Sequence, residues 1–166
     1  MARRWAQAGT QRDLLNCARL FELSPSPSHS RRLAAGLEQA SKGRALSGLP
    51  EALRRAMARH GVGSAAFALR QGHSAAIAEA LKTVVDESAT RAERLEYLGV
   101  LAEVRVPGAV PALSKACRGI VKDDALRQAT LTALAAYDDP SIAQVVLSVY
   151  PGLGPLSLPT AQALLA

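Results

Sequence analysis

The sequence has few aromatic residues, few cysteines and no long apolar run. Phe, Trp and Tyr make up 4% of its 166 residues, although 49% of the chain is hydrophobic. Its two cysteines, Cys17 and Cys117, belong to no metal-binding, C-x-x-C or C-x-x-C-H spacing, so neither a metal site nor haem attachment is predicted. The absence of an 18-residue apolar stretch predicts no membrane-spanning helix, and the first residues do not resemble a signal peptide.

A strand signal is missing as well. No segment alternates apolar and polar residues between turn signals, whereas Ala and Leu, which favour helices, are abundant. We therefore predict an all-α fold, and the chain is long enough to bury a sizeable core.

A 33-residue period runs through the second half of the chain. Moved back by one period, Arg127 falls on Arg94, Leu131 on Leu98, Leu134 on Leu101, Ala135 on Ala102 and Pro140 on Pro107. A period of this length is typical of helical solenoids. It predicts a right-handed α-solenoid of antiparallel helix pairs.

The period divides what we predict to be a single helical-repeat domain over residues 1–166. Irregular helices are expected over 10–60, a loose repeat over 63–88, clearer repeats over 91–121 and 123–150, and a truncated repeat over 157–166. Because the last repeat stops before its second helix, we expect the chain to be a fragment of a longer protein.

Capping residues predict where several helices begin and end. The expected N-caps are Ser28 or Ser30, Ser74, Thr90 in a capping box with Glu93, Asp123 or Asp124, and Asp139. Pro107 is expected to start its helix, and Pro140 is expected at the first position of the helix that Asp139 caps. Gly43 is expected to stop a helix over 29–41, before a loop at 45–48.

Charge is unevenly distributed along the chain. Residues 1–83 hold 13 Lys or Arg against 5 Asp or Glu, whereas residues 84–166 hold 7 against 9. A basic half can serve a polyanion such as nucleic acid, or it can be a solvated surface whose Arg stems cover apolar side chains. If two neighbouring helices pack antiparallel, five arginines form a candidate interaction surface: Arg31, Arg32, Arg54, Arg55 and Arg59.

Residues of the types used in catalysis are scattered along the chain. His29, His60 and His73 have neither an i, i+4 partner nor an adjacent cysteine, so they predict no metal site. The acidic pairs at 123–124 and 138–139 each precede a helix, where Asp is a capping residue. No catalytic, cofactor-binding or metal-binding residue is therefore predicted.

The pattern Arg127-x-x-Thr-x-x-Ala-Leu-Ala, followed by Asp139-Pro140-x-x-Ala-x-x-Val-Leu, resembles HEAT repeats. The resemblance covers residues 91–150 well and 63–88 loosely, and it implies a HEAT-like superhelix of the armadillo type. It implies that Arg127 and Asp139 brace adjacent repeats. The earlier copy keeps the arginine but has Val106 where the later copy has Asp139.

A narrower resemblance lies in Arg32-Leu-Ala-Ala-Gly-Leu-Glu-Gln-Ala-x-x-Gly-Arg and in Phe67-Ala-Leu-Arg-x-Gly-His-x-Ala-Ala-Ile-x-x-Ala-Leu. Both are similar to the helical segment of bacterial multidomain proteins of the PVC-type haem-binding CxxCH family. This resemblance implies an exported, redox-active parent. In that parent a dehydrogenase-like β-propeller precedes the helical segment and a c-type cytochrome domain follows it.

These features predict a non-catalytic HEAT-like scaffold, spacer or protein-interaction domain of a larger bacterial protein, with no cofactor in this segment. Its partner would be another protein or the neighbouring domains of the parent chain. Its location would be periplasmic or exported if the narrower resemblance holds. The alternative is a nucleic-acid-binding solenoid that uses the basic half, and an enzyme in its own right has no residue pattern in its favour.

Overall fold

The computed structural model describes residues 2–42, 48–120 and 122–166, and within them every regular element is helical. The α-helices are α1 Ala2–Ala8, α2 Gln11–Glu22, α3 Pro27–Ser41, α4 Glu51–Arg59, α5 Ala65–Arg70, α6 Ser74–Val85, α7 Arg91–Val104, α8 Val110–Gly119, α9 Asp124–Leu134, α10 Ser141–Val149 and α11 Leu158–Leu165. A 3-10 turn follows α10 at Tyr150–Gly152. The all-α prediction is confirmed for this part of the chain. The predicted stop at Gly43, and all but the last residue of the predicted 45–48 loop, lie outside the described residues.

The chain divides into two compact units, Met1–His73 and Ser74–Ala166. The first unit contains α1 to α5 and the second contains α6 to α11. The two helices of the predicted loose repeat, α5 and α6, thus fall in different units. That residues 1–166 form one continuous repeat domain stays a prediction.

The first unit is held by an apolar core to which α1 to α5 all contribute. Helix α1 packs against α2 and α3, and α2 packs against α4. Each helix turns one apolar face inward, and large side chains of this core are Phe21, Leu37, Leu53, Met57 and Phe67. Helix α1 has no cap signal in the sequence and was not predicted, and its Ala6 is buried in the same core.

Helix α3 begins earlier than its capping residues suggested. It starts at Pro27, with Ser26 as the N-cap, rather than at residue 29 after Ser28. Proline suits the first helical position because the backbone N–H that it lacks would have no partner within the helix there. Ser30 therefore lies inside the helix and is buried, instead of capping it.

The second unit is built in two series of helices. Helices α6, α8 and α10 pack in one series, and α7, α9 and α11 pack in the other. Contacts of α6 with α7, α8 with α9, and α10 with α11 join the two series. The repeats predicted over 91–121 and 123–150 would pair α7 with α8 and α9 with α10. In the structure the packed pairs begin one helix earlier, with α6 and α7.

The 33-residue period is visible in the burial of side chains in this unit. Leu98 and Leu131 are fully buried at equivalent positions, and so are Leu101 and Leu134. Leu98 and Leu101 share the inner face of α7, and Leu131 and Leu134 share that of α9, because residues three apart lie on the same face of a helix. The period read from the sequence is therefore a period of the core.

Two helix starts in the second unit follow the predicted caps. Thr90 and Glu93 form the capping box of α7, and the Asp123 side chain caps α9. Three starts differ. Ser74 is the first residue of α6 rather than its N-cap, and Pro107 lies in the turn before α8. Pro140 is the N-cap residue of α10 rather than its first helical residue, so the predicted cap Asp139 lies one residue before the N-cap.

Substitution of Leu131 tests the inner face of the repeat. Leu131→Ala removes a fully buried side chain, so we expect it to lower the free energy of unfolding by about 2–5 kcal/mol. Thr132→Ala, next to it on the exposed side of α9, is the control and should change stability by about 0.5 kcal/mol or less. Urea denaturation measures both, and a cost below about 1 kcal/mol for Leu131→Ala would contradict this placement.

Candidate interaction surfaces

The five arginines predicted to form an interaction surface are all exposed in the structure. Arg31 and Arg32 lie on α3, whereas Arg54, Arg55 and Arg59 lie on α4. The predicted ridge required α3 and α4 to pack together. Instead α3 packs mainly against α1, and α4 packs against α2. The five residues therefore lie on two helices that each pack mainly on another helix, and a single surface formed by all five stays a prediction.

Two of these arginines already have acidic neighbours. Arg55 pairs with Glu51 one turn away, and Arg59 donates a hydrogen bond to Glu22 at 3.1 Å. Both pairs are well exposed to solvent, so each adds little to stability.

The remaining predicted arginines have no such neighbour. Within the described residues, Arg31, Arg32 and Arg54 have no carboxylate in ion-pair range. Their positive charge is therefore available to an external anion.

A groove in the first unit brings one of these arginines beside apolar side chains. The α1–α3 groove has a volume of about 390 Å³. Its lining contains no acidic residue and consists of Arg3, Leu20, Leu23, Ser24, Pro25, His29, Arg32, Leu33 and Gly36. Leu23 is 77% exposed at its edge. An apolar floor with basic residues at its rim is suited to an amphipathic acidic segment.

The sequence alone did not reveal this groove. Arg3 is contributed by α1, which has no sequence signal, and Leu23 is the residue that ends α2. His29 lies in the first turn of α3, with Nδ1 2.8 Å from the Ser26 hydroxyl.

A serine and a histidine meet inside the first unit. The Ser30 hydroxyl lies 2.9 Å from Nδ1 of His60 and donates a hydrogen bond to the Ser24 hydroxyl at 2.9 Å. A Ser–His pair can generate a nucleophile, but Ser30 is fully buried and a substrate cannot reach it. The contact instead joins the beginning of α3 to the end of α4, with the Phe21 ring beside His60.

Two buried arginines occupy equivalent positions in the 33-residue period. The Arg94 guanidinium donates to the carbonyl of Val84, at the end of α6, at 3.1 and 3.3 Å. The Arg127 guanidinium donates to the carbonyl of Ile120, just after α8, and to that of Gly152. Carbonyls at helix ends have no partner within the helix. Each arginine supplies a hydrogen-bond donor to such a carbonyl and thereby links its own helix to another.

The bracing role implied for Asp139 has a different geometry. Its carboxylate accepts hydrogen bonds from the backbone N–H of Ser141 at 2.9 Å and from the hydroxyl of Ser141 at 2.6 Å. Asp139 thus closes the start of α10, and Arg127 bonds to carbonyls instead. The arginine links helices, whereas the aspartate acts locally.

A second set of contacts joins the N-terminal ends of α7, α9 and α11. Arg91, at the start of α7, pairs with the α9 cap Asp123 at 2.5 Å. One period later, Asp124 at the start of α9 accepts a hydrogen bond from the hydroxyl of Ser157, the residue before α11. The first connection is an ion pair and the second is a hydrogen bond from a hydroxyl, but both join the start of one helix to the start of the next in the series.

The Asp124 carboxylate also organises the connector before α11. It accepts hydrogen bonds from the backbone N–H groups of Gly154 at 3.2 Å and Leu156 at 2.8 Å. A Cβ on Gly154 would overlap this carboxylate, so the connector requires glycine there. The hydrogen bond from Ser157, with those from Leu156 and Gly154, lowers the pKa of Asp124.

Tyr137 closes the opposite end of α7. Its hydroxyl donates to the Leu101 carbonyl at 3.1 Å and accepts from the Val106 N–H at 3.0 Å. The chain turns there through Arg105, whose φ of 45° is left-handed. Burial raises the pKa of the Tyr137 hydroxyl. No sequence motif marked this residue.

Cys117 is a buried cysteine of the second unit. Burial raises the pKa of the Cys117 thiol to about 11, so the reactive thiolate is scarce at neutral pH.

A groove of about 510 Å³ next to the starts of α7 and α9 contains Arg91, Arg94 and Asp123, which already bond within the protein. In the described part of the chain, no group of three or more His, Cys, Asp or Glu side chains could hold a metal ion.

A surface without charged side chains lies on α10 and α11 of the second unit. Residues 140–166 contain no Asp, Glu, Lys or Arg. The α10–α11 end face is a shallow cavity of about 310 Å³ lined by Leu147, Tyr150, Gln162, Leu165 and Ala166. None of the described helices is both long and apolar enough to cross a membrane.

Comparison with known protein families, with curated proteins and with solved structures gives no match for this chain. A function is therefore inferred from the geometry of the described residues.

Substitution of Arg127 tests the link between helices. Arg127→Lys cannot reach both the Ile120 and the Gly152 carbonyls, so one buried acceptor loses its partner. We expect urea unfolding to give a loss of about 1–3 kcal/mol. Arg118→Lys, an exposed change on α8, is the matched control. Equal stability of the two variants would show that the buried hydrogen bonds contribute nothing.

Acidification tests the Asp124 contacts. Because its pKa is lowered by folding, the carboxylate stabilises the protein above its unfolded pKa of about 3.9, and this contribution is lost as the pH falls through the folded value. We expect Asp124→Asn to reduce the fall in unfolding free energy below about pH 4. Asp138→Asn is the control, since Asp138 is exposed and makes no side-chain hydrogen bond within the described residues. Identical pH profiles for wild type and Asp124→Asn would contradict the assignment.

Proposed function

We propose that the chain is a non-catalytic helical-repeat scaffold that binds another protein. Its fold would be a right-handed α-solenoid of antiparallel helix pairs, similar to HEAT repeats. The observation that carries this proposal is the repeated link between helices in the second unit, where Arg94 and Arg127 each hold the end of a preceding helix. Such links keep a stack rigid, which a scaffold needs to present a surface or hold a distance.

The polar residues gathered by the structure support a scaffold over an enzyme. Arg91, Asp123 and Asp124 bond to helix starts, while Ser30 and His60 bond to each other in the core. Each of these groups is engaged in fixing one helix relative to another. By contrast, the α1–α3 groove is open and has basic groups at its rim, so it is the surface best suited to a protein partner.

The resemblance to PVC-type haem-binding CxxCH proteins extends this proposal. The segment would then be the spacer between the propeller and cytochrome domains of an exported bacterial protein. Sequencing the adjoining coding region tests this point, because a C-x-x-C-H motif is expected downstream. A completed reading frame without one would refute the spacer role and leave the partner-binding role untouched.

Nucleic-acid binding is the second candidate, because the first unit is strongly basic. Residues 1–73 hold 12 Lys or Arg against 4 Asp or Glu. Arg31, Arg32 and Arg54 have no acidic partner within the described residues. Basic residues of this kind bind phosphates with an affinity that falls steeply with salt.

A salt titration separates the two candidates. For a scaffold, we expect fluorescence anisotropy to detect no binding of a labelled DNA duplex or single-stranded RNA at physiological salt. Binding at about micromolar affinity or tighter, with a steep salt dependence, would favour the nucleic-acid function. It should then weaken in the triple variant Arg31→Ala, Arg32→Ala and Arg54→Ala, but not in Arg55→Ala, whose arginine is already paired with Glu51.

Groove variants test the scaffold function directly. Cross-linking in the native bacterium should recover a partner protein with the wild type and lose it with Arg32→Glu or Leu23→Asp. Arg55→Glu, an equal charge change outside the groove, should retain that partner. Loss in all three variants, or in none, would contradict binding through the groove.

A further inference from the structure

The basic residues of the α1–α3 groove follow one another along α3. His29 and Arg32 belong to α3 itself, and Arg3 of α1 joins them at the level of Gly36. A Cβ placed on Gly36 would lie 3.6 Å from the Cβ of Arg3, so α1 meets α3 at that turn. Residues three or four apart lie one helix turn apart on the same face. The three basic residues therefore form a row with steps of about one turn.

Apolar side chains lie beside this basic row. Leu20 and Leu33 are half-buried and pack against the core of the first unit, so they form the floor of the groove. Leu23 stands at the edge and is 77% exposed, more than any other leucine in the part of the chain that the structure describes. Covering such a side chain removes apolar surface from water, which is favourable. The groove thus offers apolar surface directly beside positive charge.

The basic row has no countercharge of its own. Within the described residues, neither Arg3 nor Arg32 has a carboxylate in ion-pair range, and the lining of the groove contains no acidic residue. A basic partner would be repelled at this surface, whereas an acidic partner would find unpaired guanidinium groups. The charge of the groove therefore selects an acidic occupant.

The walls of the groove favour a helix over an extended segment. An extended segment binds by adding to the edge of a sheet, where unpaired N–H and C=O groups complete its hydrogen bonds. Every regular element of the described residues is helical, so the groove offers no such edge. A helix forms its backbone hydrogen bonds internally and needs only one apolar face to dock.

We propose that the α1–α3 groove binds an acidic amphipathic helix of the partner protein. This inference rests on the proposed scaffold function and specifies the chemistry of its partner. An apolar face of the partner helix covers Leu23 and lies on the floor of the groove. Two carboxylates three or four residues apart on the partner meet Arg32 and Arg3, because these arginines are also about one turn apart.

Fluorescence anisotropy with three labelled peptides tests the proposal. The acidic probe has about 18 residues, long enough to form a helix, with Leu on one face, Glu pairs at i and i+4 beside it, and Ala elsewhere. In the second peptide Lys replaces every Glu, and in the third Ala replaces every Leu. We expect the 166-residue chain to bind the acidic probe at least about tenfold more tightly than either of the others. Only the acidic probe supplies both the apolar face and the countercharge.

A charge variant with a matched control locates the contact. The double variant Arg3→Gln and Arg32→Gln should weaken binding of the acidic probe by at least about tenfold, because both countercharges are lost. The double variant Arg31→Gln and Arg54→Gln removes the same charge from exposed arginines outside the groove lining, so it should leave binding unchanged.

An apolar variant with a matched control tests the floor and edge of the groove. Leu23→Asp should also weaken binding of the acidic probe by at least about tenfold, because it removes apolar surface and adds a repelling carboxylate. Leu147→Asp, the same change at a leucine of the second unit that is 60% exposed, should have no effect. Circular dichroism confirms that all variants are folded.

Three results would overturn the proposal. One is the absence of binding of the acidic probe up to about 1 mM. Another is equal binding of the Glu and Lys peptides, which would show that the groove does not select charge. The third is full binding of the peptide without leucine, which would show that negative charge alone is bound, as in a phosphate-binding surface.

The scaffold function can fail separately from this inference. A cross-linked partner that is lost with Arg32→Glu, together with no binding of the acidic probe, would overturn the acidic helix and leave the scaffold function standing. Binding of the acidic probe in the groove, together with no cross-linked partner in the native bacterium, would support the helix site and contradict the scaffold function.

Discussion

The structure depends on satisfying backbone groups at helix ends that come together inside the protein. Every helix leaves N–H groups unpaired at its start and carbonyls unpaired at its end. In the second unit Arg94 supplies donors to a carbonyl at the end of α6, Arg127 supplies a donor to one just after α8, and Asp124 supplies acceptors before α11. Because these side chains come from another helix, each cap is also a tie between helices. The apolar core sets how closely the helices approach, and the polar ties fix which ends meet.

Features that depend on periodicity and on local capping could be predicted from the sequence. Shifting by 33 residues paired Arg94 with Arg127 and Leu98 with Leu131, and both pairs occupy matching buried positions. Local capping rules also located the helix starts at residues 90 and 123, since a cap depends only on nearby backbone.

Features that depend on which helices pack together could not be predicted from the sequence. The surface that would join Arg32 and Arg54 stays a prediction, because it depends on how α3 and α4 meet, and each of them packs mainly on another helix. Helix α1 was missed because its stability comes from packing against α2 and α3 rather than from a cap. The Tyr137 hydroxyl donates a hydrogen bond to the Leu101 carbonyl, 36 residues away in sequence, and no local sequence pattern predicts such a contact. The α1–α3 groove could not be predicted either, because one of its walls is α1. By contrast, the uncharged stretch over 140–166 is visible in the sequence alone.

Hydrogen exchange of the Arg94→Met variant tests most directly whether these arginines join separate helices. Methionine keeps the apolar stem but cannot donate to the Val84 carbonyl. We expect faster amide exchange in the last turn of α6 and the first turn of α7, with α2 and α4 in the first unit unchanged. Unchanged exchange in α6, or a uniform increase over the whole chain, would contradict a link between those two helices.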